Sequence, residues 1–166
     1  MRIALAQLNY HIGNFELNTQ KIIEKIILAK SKRADIVVFS ELCICGYPPR
    51  DFLEFKDFIQ RCMDSIETIA QYCDGIAAIV GAPSRNPIPE GKDLYNSAYF
   101  LADKKIKNVI HKTLLPTYDV FDEYRYFEPN HVFECIEYKD TKIALTICED
   151  LWNINENPLY KVCPMD

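Results

Sequence analysis

Along its first half the chain alternates between two hydrophobic periods, and few folds accommodate that alternation. Residues 2–9 (RIALAQLN) begin as a near-continuous apolar run, and residues 35–40 (DIVVFS) and 76–82 (IAAIVGA) repeat the pattern. All three predict strands, and the short, fully apolar run 35–40 predicts a central one buried on both faces, the kind that needs helices above and below, with 76–82 another buried strand. Between them the period changes. Residues 15–31 carry Ile22, Ile23, Ile26 and Ile27 at the i, i+4 spacing of one helix face, while Gln20, Lys21, Glu24 and Lys25 point away. Residues 57–73 set Phe58, Ile59, Met63, Ile66, Ile69 and Ala70 at helical spacing as well. Asn14, just after Gly13, suits the N-cap of the first helix.

The second half has a different texture. LCICGYPPRDF, after Glu41, is dense in Gly and Pro and predicts a loop, as do residues 83–93. Residues 94–102 and 105–111 form two strands joined across Asp103-Lys104, a natural turn region. Residues 112–130 are irregular. A second hairpin is expected over 131–138 and 141–147 around Lys139-Asp140, with Cys148 directly after its last strand. The order strand–helix–strand–helix–strand and then two hairpins predicts an α/β fold, helices layered on a mixed sheet. No repeat, low-complexity tract or linker divides the chain, so one domain is expected.

Composition narrows the function classes. The 166 residues are 49% hydrophobic and 26% charged, the balance of a soluble globular domain. A net charge of -5 without a basic stripe argues against nucleic acid as a partner. No apolar run approaches the roughly 20 residues that span a bilayer, and the N-terminus does not resemble a signal peptide, so no membrane partner is expected. The seven cysteines are Cys43, Cys45, Cys62, Cys73, Cys135, Cys148 and Cys163. An odd count without a secretory signal fits a reducing, cytoplasmic setting with most thiols buried. The C-x-C spacing of Cys43 and Cys45, with no second pair and three scattered histidines, speaks against a metal site.

Three reactive side chains share one kind of position. Glu41 follows DIVVFS, Lys112 follows IKNVIH, and Cys148 follows KIALTI. In open α/β sheets catalytic groups collect at strand ends. Taken singly, each has an ordinary reading: a core thiol, a salt-bridge or helix-start carboxylate, a solvated loop ammonium. Residue type and spacing therefore favour an enzyme and leave the roles open. The chemistry nevertheless joins them. A Cys attacks as thiolate, and its free pKa of about 8.5 keeps it mostly protonated at neutral pH. A carboxylate in reach takes that proton. A fixed ammonium and a backbone N–H, such as that of Glu149, then stabilise the oxyanion.

Three local motifs carry a resemblance: FSELCICGY around Glu41, HKTLLPTYDVFDEYRYF from Lys112, and LTICEDLW around Cys148. With them the chain resembles the nitrilase (carbon–nitrogen hydrolase) superfamily, whose catalytic Glu, Lys and Cys occur in this order. The strings GYPPRDFL, LYNSAYF, KTLLPTYDVFDEYRYFEP and ICEDLW are similar to one branch of it, the glutamine-amidotransferase domains of glutamine-dependent NAD synthetases. The similarity runs from residue 2 to about Trp152.

The resemblance implies a nitrilase-like α–β–β–α sandwich, here only its N-terminal portion. It implies Glu41 as general base, Lys112 as oxyanion-stabilising cation and Cys148 as nucleophile. Tyr118 falls on a glutamine-contacting position, and Glu123 on a second acid supporting the lysine. The implied reaction hydrolyses the glutamine side-chain amide through a thioester and needs no cofactor. Its ammonia goes to a synthetase domain that uses ATP to amidate nicotinate adenine dinucleotide, in a full-length protein that is a homo-oligomer. The family's amidase domain is longer than this chain, and its substrate-binding Ser and Arg lie beyond residue 166, as does the synthetase domain. The expectation is therefore a C-terminally incomplete glutaminase domain, with an exposed apolar sheet face and poor solubility. Another amidase or carbamoylase of the superfamily, or an inactive fragment, are the competing expectations.

Overall fold

The computed structural model describes residues 1–153 and 160–164. One mixed sheet organises the chain, in the order β1 (Ile3–Leu5), β2 (Ile36–Val38), β3 (Ala77–Arg85), β4 (Leu94–Ala102) and β5 (Lys105–His111). The first three strands are parallel, and β4 and β5 add antiparallel. Helices α1 (Phe15–Ser31) and α2 (Lys56–Ala70) make the crossovers that parallel strands require. A separate hairpin, β6 (Cys135–Tyr138) and β7 (Thr141–Ala144), forms a second, two-stranded sheet. Both hairpin turns have two residues at positive φ, Asp103-Lys104 and Lys139-Asp140, the conformation that matches strand twist.

The central strands of the five-stranded sheet, β2, β3 and β4, are largely buried on both faces. Against one lie α1 and α2, through Ile22, Ile26, Ile59, Ile66 and Ile69 packed on Val37, Ala78 and Val80. Against the other lies the β6–β7 hairpin and the chain after it, through Ile136 and Ile147 packed on Ile36, Ile79, Ala98 and Phe100. The apolar runs of β2, β3 and β4 follow from this, because every residue faces one layer or the other. The layer order is helix, sheet, sheet.

Several boundaries depart from the sequence expectation. The first strand is short: only Ile3–Leu5 pair with β2. β3 runs on through Pro83-Ser84-Arg85, which read as loop. Proline is tolerated there because β2 pairs only with Ala77, Ala78 and Ile79, so further along β3 is hydrogen-bonded to β4 alone. On α1 the buried stripe is Phe15, Asn18, Ile22, Ile26 and Ala29, whereas Ile27 is exposed. Asn18 sits in that stripe because it has polar work: its amide donates to the carbonyls of His11 and Ile44, and its oxygen accepts the His11 N–H. Asn14 caps α1 as expected, accepting the Leu17 N–H at 3.2 Å.

The last hairpin is shorter than 131–147. At its start Asn130 bonds both the N–H and the carbonyl of Val132, holding that backbone in a side-chain turn. At its end the Ile147 N–H goes to the Asp150 carboxylate instead of a strand partner. Cys148 therefore does not follow a strand directly. It opens a 3-10 turn, Cys148–Leu151, and residues 145–147 separate it from β7.

Strand direction places the site. Two antiparallel steps from β3 return β5 to the direction of β2, so Glu41 after β2 and Lys112 after β5 emerge at the same sheet edge. β4 runs the other way, and its beginning, with Asn96, lies at that edge too.

Candidate active site

Lys112 is the first residue past β5, and its N–H still bonds the carbonyl of Asn96 at 2.8 Å. Its side chain is wholly buried. Nζ lies 2.7 Å from Glu41 Oε1, and 3.0 and 2.8 Å from Oε1 and Oε2 of Glu123. Glu123 opens the 3-10 turn Glu123–Arg125, whose entry is fixed by its N–H bonding the Pro116 carbonyl. The Tyr47 hydroxyl donates to Glu123 Oε1 at 2.8 Å. One ammonium thus sits between two carboxylates, and three of the residues singled out from the sequence are in contact.

Charge and burial compete here. Burial disfavours the Lys112 ammonium, but the two carboxylates outweigh it and raise the lysine above its ordinary value. Glu123 is pushed up, first by burial and then by the nearby Glu41 charge, with Lys112 opposing. Tyr47 is raised as well, by burial and by facing the Glu123 carboxylate.

Glu41 and Cys148 line a common cavity of about 280 Å³, walled by Val38 and Ile79 of the five-stranded sheet, by Phe39 just past β2 and by Leu145 just past β7. Cys148 has a left-handed backbone, φ 49°, a conformation that costs a non-glycine residue of order 1 kcal/mol. Asp150 fixes that turn. One carboxylate oxygen accepts the N–H groups of Thr113 and Leu114 at 3.0 and 2.8 Å, the other that of Ile147 at 3.1 Å. The backbone just after Lys112 is thereby tied to the backbone just before Cys148. The thiol is raised above its ordinary value, first by removal from water and then by Glu41, Glu123 and Glu149, with Lys112 pulling the other way. Such a thiol is protonated at neutral pH and needs a base before it can attack.

Beside it, the buried carboxylate of Glu149 accepts the hydroxyl of Tyr118 at 2.9 and 3.1 Å and that of Tyr160 at 2.9 Å. Tyr118 remains partly exposed and packs edge-on against Phe121. The six residues singled out from the sequence thus fall into two contacting groups, Glu41–Lys112–Glu123 and Tyr118–Glu149, with Cys148 adjoining both. Sequence reasoning missed Tyr47, Asn96 and Asp150. Each lies inside a quoted string (GYPPRDFL, LYNSAYF, ICEDLW), but only the fold shows which neighbours they bond.

The cysteines divide by position: Cys43, Cys45, Cys62 and Cys73 are buried, whereas Cys135 and Cys148 are exposed. Burial pushes the Cys43 thiol up to about 12, so it is no rival nucleophile. Among the described residues, no group of three or more His, Cys, Asp or Glu is placed to hold a metal ion, and no helix is long and apolar enough to cross a membrane.

A buried ammonium between two carboxylates, next to an exposed cysteine on a strained turn between two sheets, defines a class. The chain belongs to the carbon-nitrogen hydrolase family, whose profile matches residues 2–157. Its relatives specify a branch. It is 43% identical over 155 residues to the glutamine-dependent NAD(+) synthetase of Synechocystis sp., covering 91% of this chain and 28% of that protein. The enzyme of the same description from Thermotoga maritima is 37% identical over 155 residues, with 92% of this chain and 26% of that protein covered. Among solved structures, the glutamine-dependent NAD+ synthetase of Acinetobacter baumannii in complex with ADP superposes with a TM-score of 0.84 at 38% identity, covering 92% of this chain and 28% of that one. An amidase from Nesterenkonia sp. shares the fold at a TM-score of 0.76 and 20% identity. The chain thus spans little more than a quarter of the length of the synthetases it matches.

Proposed function

We propose that this chain is the glutamine-hydrolysing part of a glutamine-dependent NAD synthetase, with Glu41, Lys112 and Cys148 as its catalytic residues. The observation that carries the reading is the wholly buried Lys112 ammonium, bonded to Glu41 where that carboxylate shares a cavity with Cys148. In this scheme Glu41 removes the Cys148 proton and the sulfur attacks the side-chain amide carbon of glutamine. The tetrahedral oxyanion is stabilised by Lys112 and by the backbone N–H of Glu149. Glu41 returns the proton to the nitrogen, the C–N bond breaks, and ammonia leaves a glutamyl thioester on Cys148. A water activated by Glu41 attacks the thioester and releases glutamate and the thiol.

Tyr118 and Glu149 form the polar wall that orients glutamine, and Glu123 keeps Lys112 in place. The hydrolysis consumes only water. Ammonia passes to a synthetase domain, which spends ATP to amidate nicotinate adenine dinucleotide. The relatives support the choice of glutamine, since those reported above are named glutamine-dependent NAD synthetases.

Ammonia release from glutamine by the protein as its gene encodes it tests the scheme. Cys148→Ala is expected to stay folded and to lose this activity. Normal turnover by that variant would remove Cys148 from the nucleophile's role. Hydrolysis of linear carbamoyl amides in place of glutamine would keep the class and change the substrate.

A further inference from the structure

Asn96 is a buried polar group that the scheme above leaves without a role. It has no exposed surface, and its neighbours are charged. Nδ2 donates to Glu41 Oε1 at 2.6 Å and reaches Glu123 Oε2 at 3.4 Å, and the backbone carbonyl accepts the Lys112 N–H. Its Oδ1 has no hydrogen-bond partner among the described residues. Flipping the amide would turn that oxygen onto two carboxylates, so charge fixes the orientation as it stands. A buried acceptor left without a donor is destabilising, and an apolar side chain of similar shape would avoid the penalty. Packing alone therefore gives no reason for an amide at this position.

Its place in the fold supplies one. Glu41 lies on a loop whose next residue, Leu42, has φ 47°, while Asn96 belongs to β4, paired on both sides by β3 and β5. Groups facing Glu41 come from four further places: Lys112 past β5, Glu123 on its 3-10 turn, Tyr47 on the following loop, and Cys148 across the cavity.

We propose that Asn96 is the positioning residue for the general base: its amide N–H and the Lys112 ammonium together occupy Oε1 of Glu41, leaving Oε2 to take the Cys148 proton. The inference rests on Glu41 acting as that base. Two donors on one oxygen stop the carboxylate from rotating, so the free lone pairs face the reacting side.

The test is ammonia release from glutamine as a function of pH, in the protein as its gene encodes it. Asn96→Leu is expected to lower kcat about 10- to 100-fold, a share of what general-base catalysis contributes, with KM within about threefold. The acid limb of kcat/KM moves to higher pH, because the charged base has lost a donor. Asn96→Asp, which exchanges that donor for a third carboxylate, moves it further, and Asn96→Ser, smaller but still a donor, holds it near the wild-type position. If Asn96→Leu does not fold, the Asp and Ser variants carry the comparison. A fall in kcat with an unmoved acid limb would reduce Asn96 to packing, and unchanged kinetics would remove it from the site. Glu41→Gln separates the two ideas. Wild-type turnover by Glu41→Gln overturns the base assignment and Asn96 with it. An inactive Glu41→Gln beside kinetically normal Asn96 variants overturns only the present inference.

Discussion

Lysines with no exposed surface occur almost only where their charge is matched, and Lys112 has two carboxylates against one ammonium. Removing it would leave Glu41 and Glu123 facing each other in a buried space. Lys112→Met is therefore expected to lose about 3–5 kcal/mol of stability, the range for breaking a buried pair. Urea unfolding measures this. The sign of the pH effect follows from the raised lysine: the folded state holds the proton more tightly than the unfolded chain. That stabilisation is complete below the ordinary lysine value of about 10.4 and is lost as pH rises through the higher folded value. On the alkaline side, the stability gap between wild type and Lys112→Met should accordingly stay open until the solution is strongly alkaline. A constant gap up to that range and beyond would mean that the ion pairs do not set it.

At the scale of elements, the site depends on how closely β3 approaches the turn that carries Glu41. A Cβ built on Gly81 would overlap the backbone nitrogen of Leu42 and lie 2.8 Å from the Ser40 carbonyl oxygen. These are backbone atoms with no rotamer to escape into. Gly81→Ala is expected to cost about 1–3 kcal/mol, as overpacking does. Because the displaced segment carries Glu41, the base in the proposed scheme, activity should fall by more than the stability loss accounts for, when ammonia release is measured well below the unfolding midpoint. Full activity in a destabilised Gly81→Ala protein would show that the turn moves without taking Glu41 along. The sequence showed Gly81 only as the end of an apolar run.

Over the whole molecule, the sheet's second face is covered unevenly. The β6–β7 hairpin packs over β2, β3 and β4, whereas Ile3 and Leu5 on β1 remain 56% and 79% exposed. Their register with Ile36 and Val38 puts them on that same face. Leu5→Lys is expected to change stability by less than about 0.5 kcal/mol, as surface substitutions do. It should reduce self-association of the 166-residue chain in light scattering. Unchanged association would place the sticky surface elsewhere, for example at Val132 and Phe133.

Much of this was legible beforehand, for identifiable reasons. The apolar runs at β2 and β3 are buried strands, and such strands declare themselves by composition. The turn pairs Asp103-Lys104 and Lys139-Asp140 are local chemistry. Where long-range pairing decides, the reading failed. Pro83 stays in a strand because β2 has ended beside it, Ile27 faces water because α1's stripe is set by the sheet beneath, and β7 ends early because Asp150 takes the Ile147 N–H. The first two causes lie far along the chain from their effects, and the third depends on an Asp150 that is itself tied to the distant Thr113 and Leu114.

The sequence by itself determined the α/β class, the family motifs, and the three residue types that a cysteine amidohydrolase needs, because periodicity and motif are properties of neighbours along the chain. Only the tertiary structure decided that Glu41 and Lys112, 71 residues apart, share a hydrogen bond, and that Asn96, Tyr47 and Asp150 hold the groups in place. Strand direction brings their backbones to one sheet edge. Burial then makes each charge depend on partners that no local pattern names.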